Sequence, residues 1–480
     1  MTSVQDVFVR VEPLDGLSGF RLEFYDALIA RADGLFELVD ALLCADGPVK
    51  SLVELSLAAE HRRGHGALYD AVNSGRIELD RVRVAIGALP VPRAGAGRIV
   101  LAVDVSNWLR PDAAVSPDRL FCHVYGRGRS ADQFIPGWPY SFVAALETGR
   151  TSWTALLDAV RLTPADDATA VTAAQLREVV ERLITAGHWV QGDPEILIVA
   201  DSGYDVARIA HELAVLPVAV AGRVRSDRVF CFPAVNTYRR QGGRPARHGS
   251  VFKLADPTTW PDPLHATGTA TTRYGQVVAN AWDRLHPRLT HRTSWLDDDG
   301  ELPLIEGTVI HLVVERLPGD AQPKPVWIWA SLTGADAALI DVLWQVYLRR
   351  FDLEHTFRML KQTLGWTRPR LRDPKAADTW TWLVIAAHTQ LRLAREQVSD
   401  LRRPWERPAD PRRLTPARVR RGFRNIRPAL PLPAGAPKPS HPGPGRPPGS
   451  RNRRPATTQN VGKPEKRAKS LIEHKKRQAG

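Results

Sequence analysis

Two short apolar runs that each stop at an aspartate constrain the fold of this chain more than any other feature. Ile99, Val100, Leu101, Ala102 and Val103 lead into Asp104, and Ile196, Leu197, Ile198, Val199 and Ala200 lead into Asp201. Continuous aliphatic runs of this length predict strands buried on both faces, in a parallel or mixed sheet. Helical patterns over 172–186 and 206–215 flank the second run, and 120–125 and 217–224 read as further strands. That alternation predicts an α/β core. An aspartate at the open end of such a strand is held on a rigid element, where function commonly sits. It can equally cap the turn that follows. Gly203 permits a tight exit from the second strand.

Residues 347–361 bring a third carboxylate. On a helix turning about 100° per residue, Arg350 falls at roughly −60° from Tyr347, Glu354 at roughly −20° and Lys361 at roughly −40°. Val346, Leu353, Phe357, Leu360 and Leu364 form an adjoining apolar stripe that can dock on a core. The polar stripe suits a solvated face with i,i+4 ion pairs. It also suits a site in which the carboxylate holds a cation and the bases hold phosphates. Three carboxylates without His or Cys beside them favour a hard cation: two Mg²⁺ ions, or Mn²⁺ in their place. Such ions support in-line displacement at phosphorus by a water or a 3′-hydroxyl.

These residues resemble the DDE triad of bacterial insertion-sequence transposases, an RNase H-like superfamily. Tyr347, Arg350, Glu354 and Lys361 match, without a gap, the Tyr-Arg-Glu-Lys signature of one large group. Asp201, Ser202, Gly203 and Tyr204 are similar to that group's second-aspartate motif. The resemblance spans about residues 95–395. It implies an RNase H-like mixed-sheet core with Asp104 on the first strand, Asp201 after a central strand and Glu354 on a late helix. It also implies a mostly β insertion between Asp201 and Glu354, and contact of Arg350 and Lys361 with transposon-end phosphates, with Tyr347 nearby. Arg358 is a further candidate for the phosphate. Related enzymes stack an aromatic side chain on a flipped base, for which Trp329 is the first candidate and Trp327 the second.

The expected organisation follows. Residues 1–95 read as a helical N-terminal domain, a candidate for binding DNA ends through a helix-turn-helix or a plain helical cap on the core. Residues 96–225 form the first part of the catalytic core, 226–330 a β-rich insertion and 331–400 the second part with the Glu354 helix. In the insertion, 229–232, 269–274, 277–282 and 308–314 read as strands, and the basic glycine-rich loop 242–249 could hold DNA backbone. Arg368, Arg370 and Arg372 alternate in an extended segment and present one basic edge. Cys44, Cys122 and Cys231 show neither a zinc spacing nor a disulfide framework. No apolar run approaches the roughly 18 residues that span a bilayer, and residues 1–13 lack a signal-peptide core. The expectation is a cytoplasmic, nucleoid-associated bacterial protein.

Charge is unevenly spread. The chain carries +14 overall, yet residues 401–480 hold 22 of the 66 basic and 4 of the 52 acidic residues, leaving the rest at −4. The DNA contacts of the body must therefore be local patches, and the Pro-rich tail 401–480 reads as a disordered polycationic arm. Around Arg446 the tail resembles an AT-hook, whose Gly-Arg-Pro core lies in a narrow minor groove. The reading is a metal-dependent DNA transposase acting on double-stranded terminal inverted repeats and target DNA, as a homodimer in a synaptic complex. The rivals are another RNase H-like nuclease and a non-catalytic, transposase-derived DNA-binding protein.

Overall fold

A computed structural model describes residues 13–64, 66–124, 133–149, 151–235, 246–289, 301–317, 323–438, 448–449 and 456–462. The N-terminal stretch is helical as expected: α1 (Pro13–Asp26), α2 (Ala32–Cys44), α3 (Leu52–Leu55), α4 (Ala67–Ser74) and α5 (Leu79–Gly87), with a small antiparallel ribbon of β1 (Leu28–Ala30) and β2 (Arg76–Ile77). Every residue of α2 from Gly34 to Cys44 is buried, Glu37 and Asp40 included. These two acids are paired, Asp40 with Arg21 at 2.7 Å and Glu37 with Arg62 at 2.8 Å. A buried α2 offers no face to a DNA groove, and α3 is a single turn capped by Ser51.

The two aspartate-ended runs become neighbouring parallel strands. In chain order the core has β3 (Val100–Leu109), β4 (Leu120–Val124), β5 (Gln133–Leu146), β6 (Thr154–Arg161), α6 (Ala168–Thr185), β7 (Ile196–Ala200), α7 (Val206–Glu212) and β8 (Val218–Val224). β5 lies antiparallel between β3 and β6, while β7 joins β3 and β8 joins β7 in parallel. β7 is buried along its whole length, as its unbroken aliphatic sequence requires. The register sets Val103 against Ala200, so Asp104 and Asp201 lie side by side at the same level; the expected strand end is corrected for Asp104, because β3 stays paired with β5 as far as Leu109, whereas Asp201 does follow the end of β7.

The β-rich stretch supplies β9 (Val229–Pro233), β10 (His248–Lys253), β11 (His265–Thr271), β12 (Gly275–Pro287), β13 (Gly307–Val314) and β14 (Val326–Ala330). β14 pairs antiparallel with β8, Trp327 opposite Val224 and Ala330 opposite Ala221. Among the described residues β3 to β14 thus form one 12-stranded sheet along the path β10-β9-β12-β13-β14-β8-β7-β3-β5-β4, with β11 on β12 and β6 on β5. The stretch extends the core sheet instead of standing apart from it. The strand expected at 269–274 is displaced: β11 ends at Thr271, and the hairpin turns into β12 at Gly275 with φ +68°. Trp327 joins Phe252, Trp260, Trp282 and His311 in an aromatic cluster. Trp329 is fully buried, and its indole N–H donates to the Leu285 carbonyl. The expected stacking role for Trp329 or Trp327 is therefore corrected: neither presents a ring face to a base, because both pack in the core.

The chain closes with α8 (Ala337–Arg349), α9 (Asp352–Arg358), a π-helical turn (Met359–Thr363), α10 (Pro374–Leu393) and α11 (Pro416–Ile426). The apolar α10 packs on β6 and on α1, α2 and α4, cementing the N-terminal helices to the sheet. The expectation of a mostly disordered tail over 401–480 is corrected over 401–435. Leu414, Val419, Phe423, Leu430 and Ala434 are buried. Arg420 donates to the Leu42 and Gly47 carbonyls at the end of α2, and Arg427 pairs with Asp40 at 2.7 Å. An amphipathic helix supplies the burial, and its arginines satisfy carbonyls that a helix end leaves unpaired. Farther on, the Gln459 amide donates to Ala114. Arg446 and residues 242–245 of the glycine-rich loop lie outside the described residues. No described helix is long and apolar enough to cross a membrane.

Candidate active site

Asp104 is the fifth residue of β3. Its Oδ1 accepts the Val105 N–H at 2.8 Å, and its Oδ2 accepts a guanidinium N–H of Arg350 at 2.8 Å. Asp201 follows β7 directly, and its Oδ2 lies 3.5 Å from the other Arg350 nitrogen. One guanidinium thus bridges the carboxylates of the two neighbouring strands. Burial lifts the Asp104 carboxyl to about 6; the Glu354 and Asp201 charges push the same way, while Arg350 and the Val105 amide oppose. The Tyr204 phenol is buried behind the pair, and burial, followed by the Asp104 charge, raises it well above its usual range.

Glu354 reaches this place because of how its helix docks. Asp336 caps α8, accepting from the Leu339 amide, and α8 buries Ile340, Leu343, Trp344, Val346 and Tyr347. The single helix expected over 347–361 is interrupted at Arg350 and Phe351 and resumes at Asp352. Both residues keep right-handed φ and ψ, so the break shifts the polar stripe little. α9 then buries Leu353, Thr356 and Phe357. The Thr356 hydroxyl meets that of Thr154 on β6 at 2.8 Å, and the Phe357 ring centroid lies 5.2 Å from that of Phe142 on β5. With that face fixed on the sheet, Glu354 and Arg358 point outward, both exposed.

They face an open cleft of about 300 Å³, bordered by Val105, Ser106 and Asn107 of β3 and by Glu354, Arg358 and Lys361. Lys361 enters it from the π turn, where the Leu364 amide reaches back five residues to Met359 at 3.0 Å. Such turns recur at functional sites, and this one moves Lys361 off the simple helical projection. Its ammonium lies 5.7 Å from the centroid of the buried Trp366 ring. Burial lowers its pKa, and the Glu354, Cys122 and Asp104 charges oppose that shift. The Tyr347 phenol is pushed up to about 12 by burial and by the Asp201 charge.

Glu354, Arg358 and Lys361 thus line the cleft, and Asp104, Asp201, Arg350 and Tyr347 adjoin it, Arg350 feeling the charges of Asp104, Asp201, Tyr347 and Glu354 and Lys361 those of Glu354 and Asp104. Trp329 is not among them. Arg368, Arg370 and Arg372 are exposed on the following segment, which Arg110 anchors by donating to the Leu371 carbonyl. Two neighbours have places that the sequence does not assign: Tyr204 enters there only as part of the Asp201 motif, and Arg223 not at all. Tyr204 backs the aspartates, and Arg223, exposed near the end of β8, is close enough to Tyr347 to favour its ionised form. An arginine ending the third parallel strand was the available signal for the second. Chemically, three oxygen-only donors around a centre already served by a guanidinium fit a hard divalent cation.

In comparison with known proteins, the chain matches the family described as DDE superfamily endonuclease over residues 23–288. The matched span holds Asp104 and Asp201 and ends before Glu354. No curated protein matches the chain at a significant level.

Proposed function

This chain belongs to the DDE superfamily endonucleases, and from that premise we propose that it is a cut-and-paste DNA transposase of the Tyr-Arg-Glu-Lys signature group, acting at insertion-sequence ends. Enzymes of this superfamily act on DNA and typically depend on a divalent metal. On this reading Asp104, Asp201 and Glu354 hold two Mg²⁺ ions, or Mn²⁺ in their place, whose chemistry is to activate an oxygen nucleophile and stabilise the leaving oxygen. The observation that carries the reading is the bridge from Arg350 to both aspartates, with the Glu354 charge bearing on the same Asp104.

The chain's own groups supply the positioning. Arg350 offers a planar fork that matches a phosphate, and it can turn to one once the aspartates have another counter-charge. Lys361 and Arg358 add point charges along the cleft. Tyr347, with its pKa near 12, stays neutral and serves as a hydrogen-bonding group. The exposed Arg368, Arg370 and Arg372 continue the basic track. Water attacks first at the transposon end, and the freed 3′-hydroxyl then attacks the opposite strand or target DNA. A homodimer pairs the two ends in a synaptic complex.

The test uses DNA carrying the terminal inverted repeats that flank the coding region, incubated with the full chain and Mg²⁺. Nicked ends and joined donor–target products are expected. Glu354→Gln should retain DNA binding and lower cleavage by more than the roughly 10–100-fold that accompanies loss of a group merely supporting a metal ligand. Normal nicking by E354Q overturns the site. Cleavage without joined products leaves a nuclease and rejects the transposase.

A further inference from the structure

The far flank of the sheet holds a second cluster built from different chemistry. Cys231 of β9, His248 of β10 and His286 of β12 bring one ligand atom each within 4.8 Å of one another. The strand register causes this. His286 sits directly opposite Cys231, and His248 sits opposite Pro233, two residues farther along β9. Residues two apart on a strand share a face, so all three side chains project to one side. A bulge in β12 between Trp282 and Leu285, with Arg284 at φ +59°, sets the final register of His286.

His248 Nδ1 and His286 Nε2 face each other at 2.8 Å. Tetrahedral Zn²⁺ with bonds of about 2.0–2.1 Å to nitrogen and about 2.3 Å to sulfur needs N···N near 3.3 Å and N···S near 3.6 Å. An opening of about half an ångström between the rings meets that requirement. Cys231 and His286 are buried, while His248 is exposed, so one side of the cluster is open to a water as fourth ligand. Ligation through Nε2 puts the ring proton of His286 on Nδ1, which is buried without a partner among the described residues. Metal–ligand bonds including a thiolate outweigh that cost.

We infer that Cys231, His248 and His286 form a zinc site that pins β9, β10 and β12 together. It does not depend on the proposed function. Six strand spacings separate β9 from β3 along the sheet path, roughly 29 Å if the sheet were flat. The soft donor set separates it chemically from the oxygen-only cleft.

The full chain, purified without chelator from zinc-supplied cells, should carry about one zinc per chain by elemental analysis. Replacement by Co²⁺ should give the thiolate charge-transfer and tetrahedral d–d absorption of a Cys-ligated ion. Cys231→Ala and His248→Ala should each lose the metal and lower Tm, whereas Cys44→Ser should retain it. Because His248 is exposed, H248A folds without zinc and keeps the test decisive if C231A does not. A wild-type chain that takes up neither zinc nor Co²⁺, or an H248A/H286A variant that retains both metal content and spectrum, overturns the assignment.

Discussion

Asp104 shows how a single residue couples the fold to its chemistry. Its carboxyl sits at about 6 in the folded chain, against an ordinary value near 3.9. The folded state therefore holds a proton more firmly than the unfolded one. The stability this group contributes is full below about pH 4 and is lost as pH rises through 6. In chelator, Asp104→Asn should stabilise the protein by about 1–3 kcal/mol at pH 8 and by almost nothing at pH 4. Paired urea melts at the two pH values check this, and a neutral or negative effect at pH 8 contradicts it. The carboxylates and the Tyr-Arg-Glu-Lys spacing could be seen in the sequence because they repeat local patterns. The burial of Trp329 could not. Two tryptophans at alternate strand positions look alike whether a second layer covers them or solvent does.

At the scale of elements, interruption was the hardest thing to anticipate. The turn at Arg350 and Phe351 and the π turn at 359–363 leave the apolar period almost unchanged, so the sequence reads as one helix. Both are set by docking: Thr356 and Phe357 lock α9 to β6 and β5, and the Val49 amide bonds the Thr363 carbonyl. α11 departs from its sequence in the opposite direction. Its arginines and prolines give the composition of a disordered arm, yet Val419 and Phe423 find a groove, and Arg420 and Arg427 find partners on α2. A chain ending at residue 438 should keep the parent Tm, whereas one ending at 400 exposes that groove, takes Arg427 from Asp40 and the Pro431 carbonyl from Arg21, and melts lower. An unchanged Tm after truncation at 400 contradicts the packing described for α11.

Across the whole molecule, the sheet places one kind of chemistry on its inner strands β3 and β7 and another on β9, β10 and β12 at one end, and net basic charge is left to the end of the chain. Residues 439–480 hold 11 Lys and Arg against 2 acids. The same 438-residue truncation should weaken DNA binding and flatten its salt dependence by about 0.9 for each phosphate no longer neutralised. Binding titrations at several salt concentrations check this, and an unchanged slope contradicts it. The α/β grammar and the β-rich interval were visible in the sequence. That β14 would pair with β8 and fuse both into one sheet was not, because register between distant strands leaves no local mark. The same holds for Cys231, His248 and His286, which lie 17 and 38 positions apart and meet only through strand pairing.

Convergence of Asp104, Asp201 and Glu354 is the claim on which the catalytic account stands. It can be tested without substrate by loading the full chain with Fe²⁺ in place of Mg²⁺ and generating hydroxyl radicals at the bound ion with ascorbate and peroxide. Backbone cuts near residues 104, 201 and 354 together are expected, all lost in the D104N/D201N double variant. Cuts at only one of these segments, or the same pattern in the double variant, would contradict it.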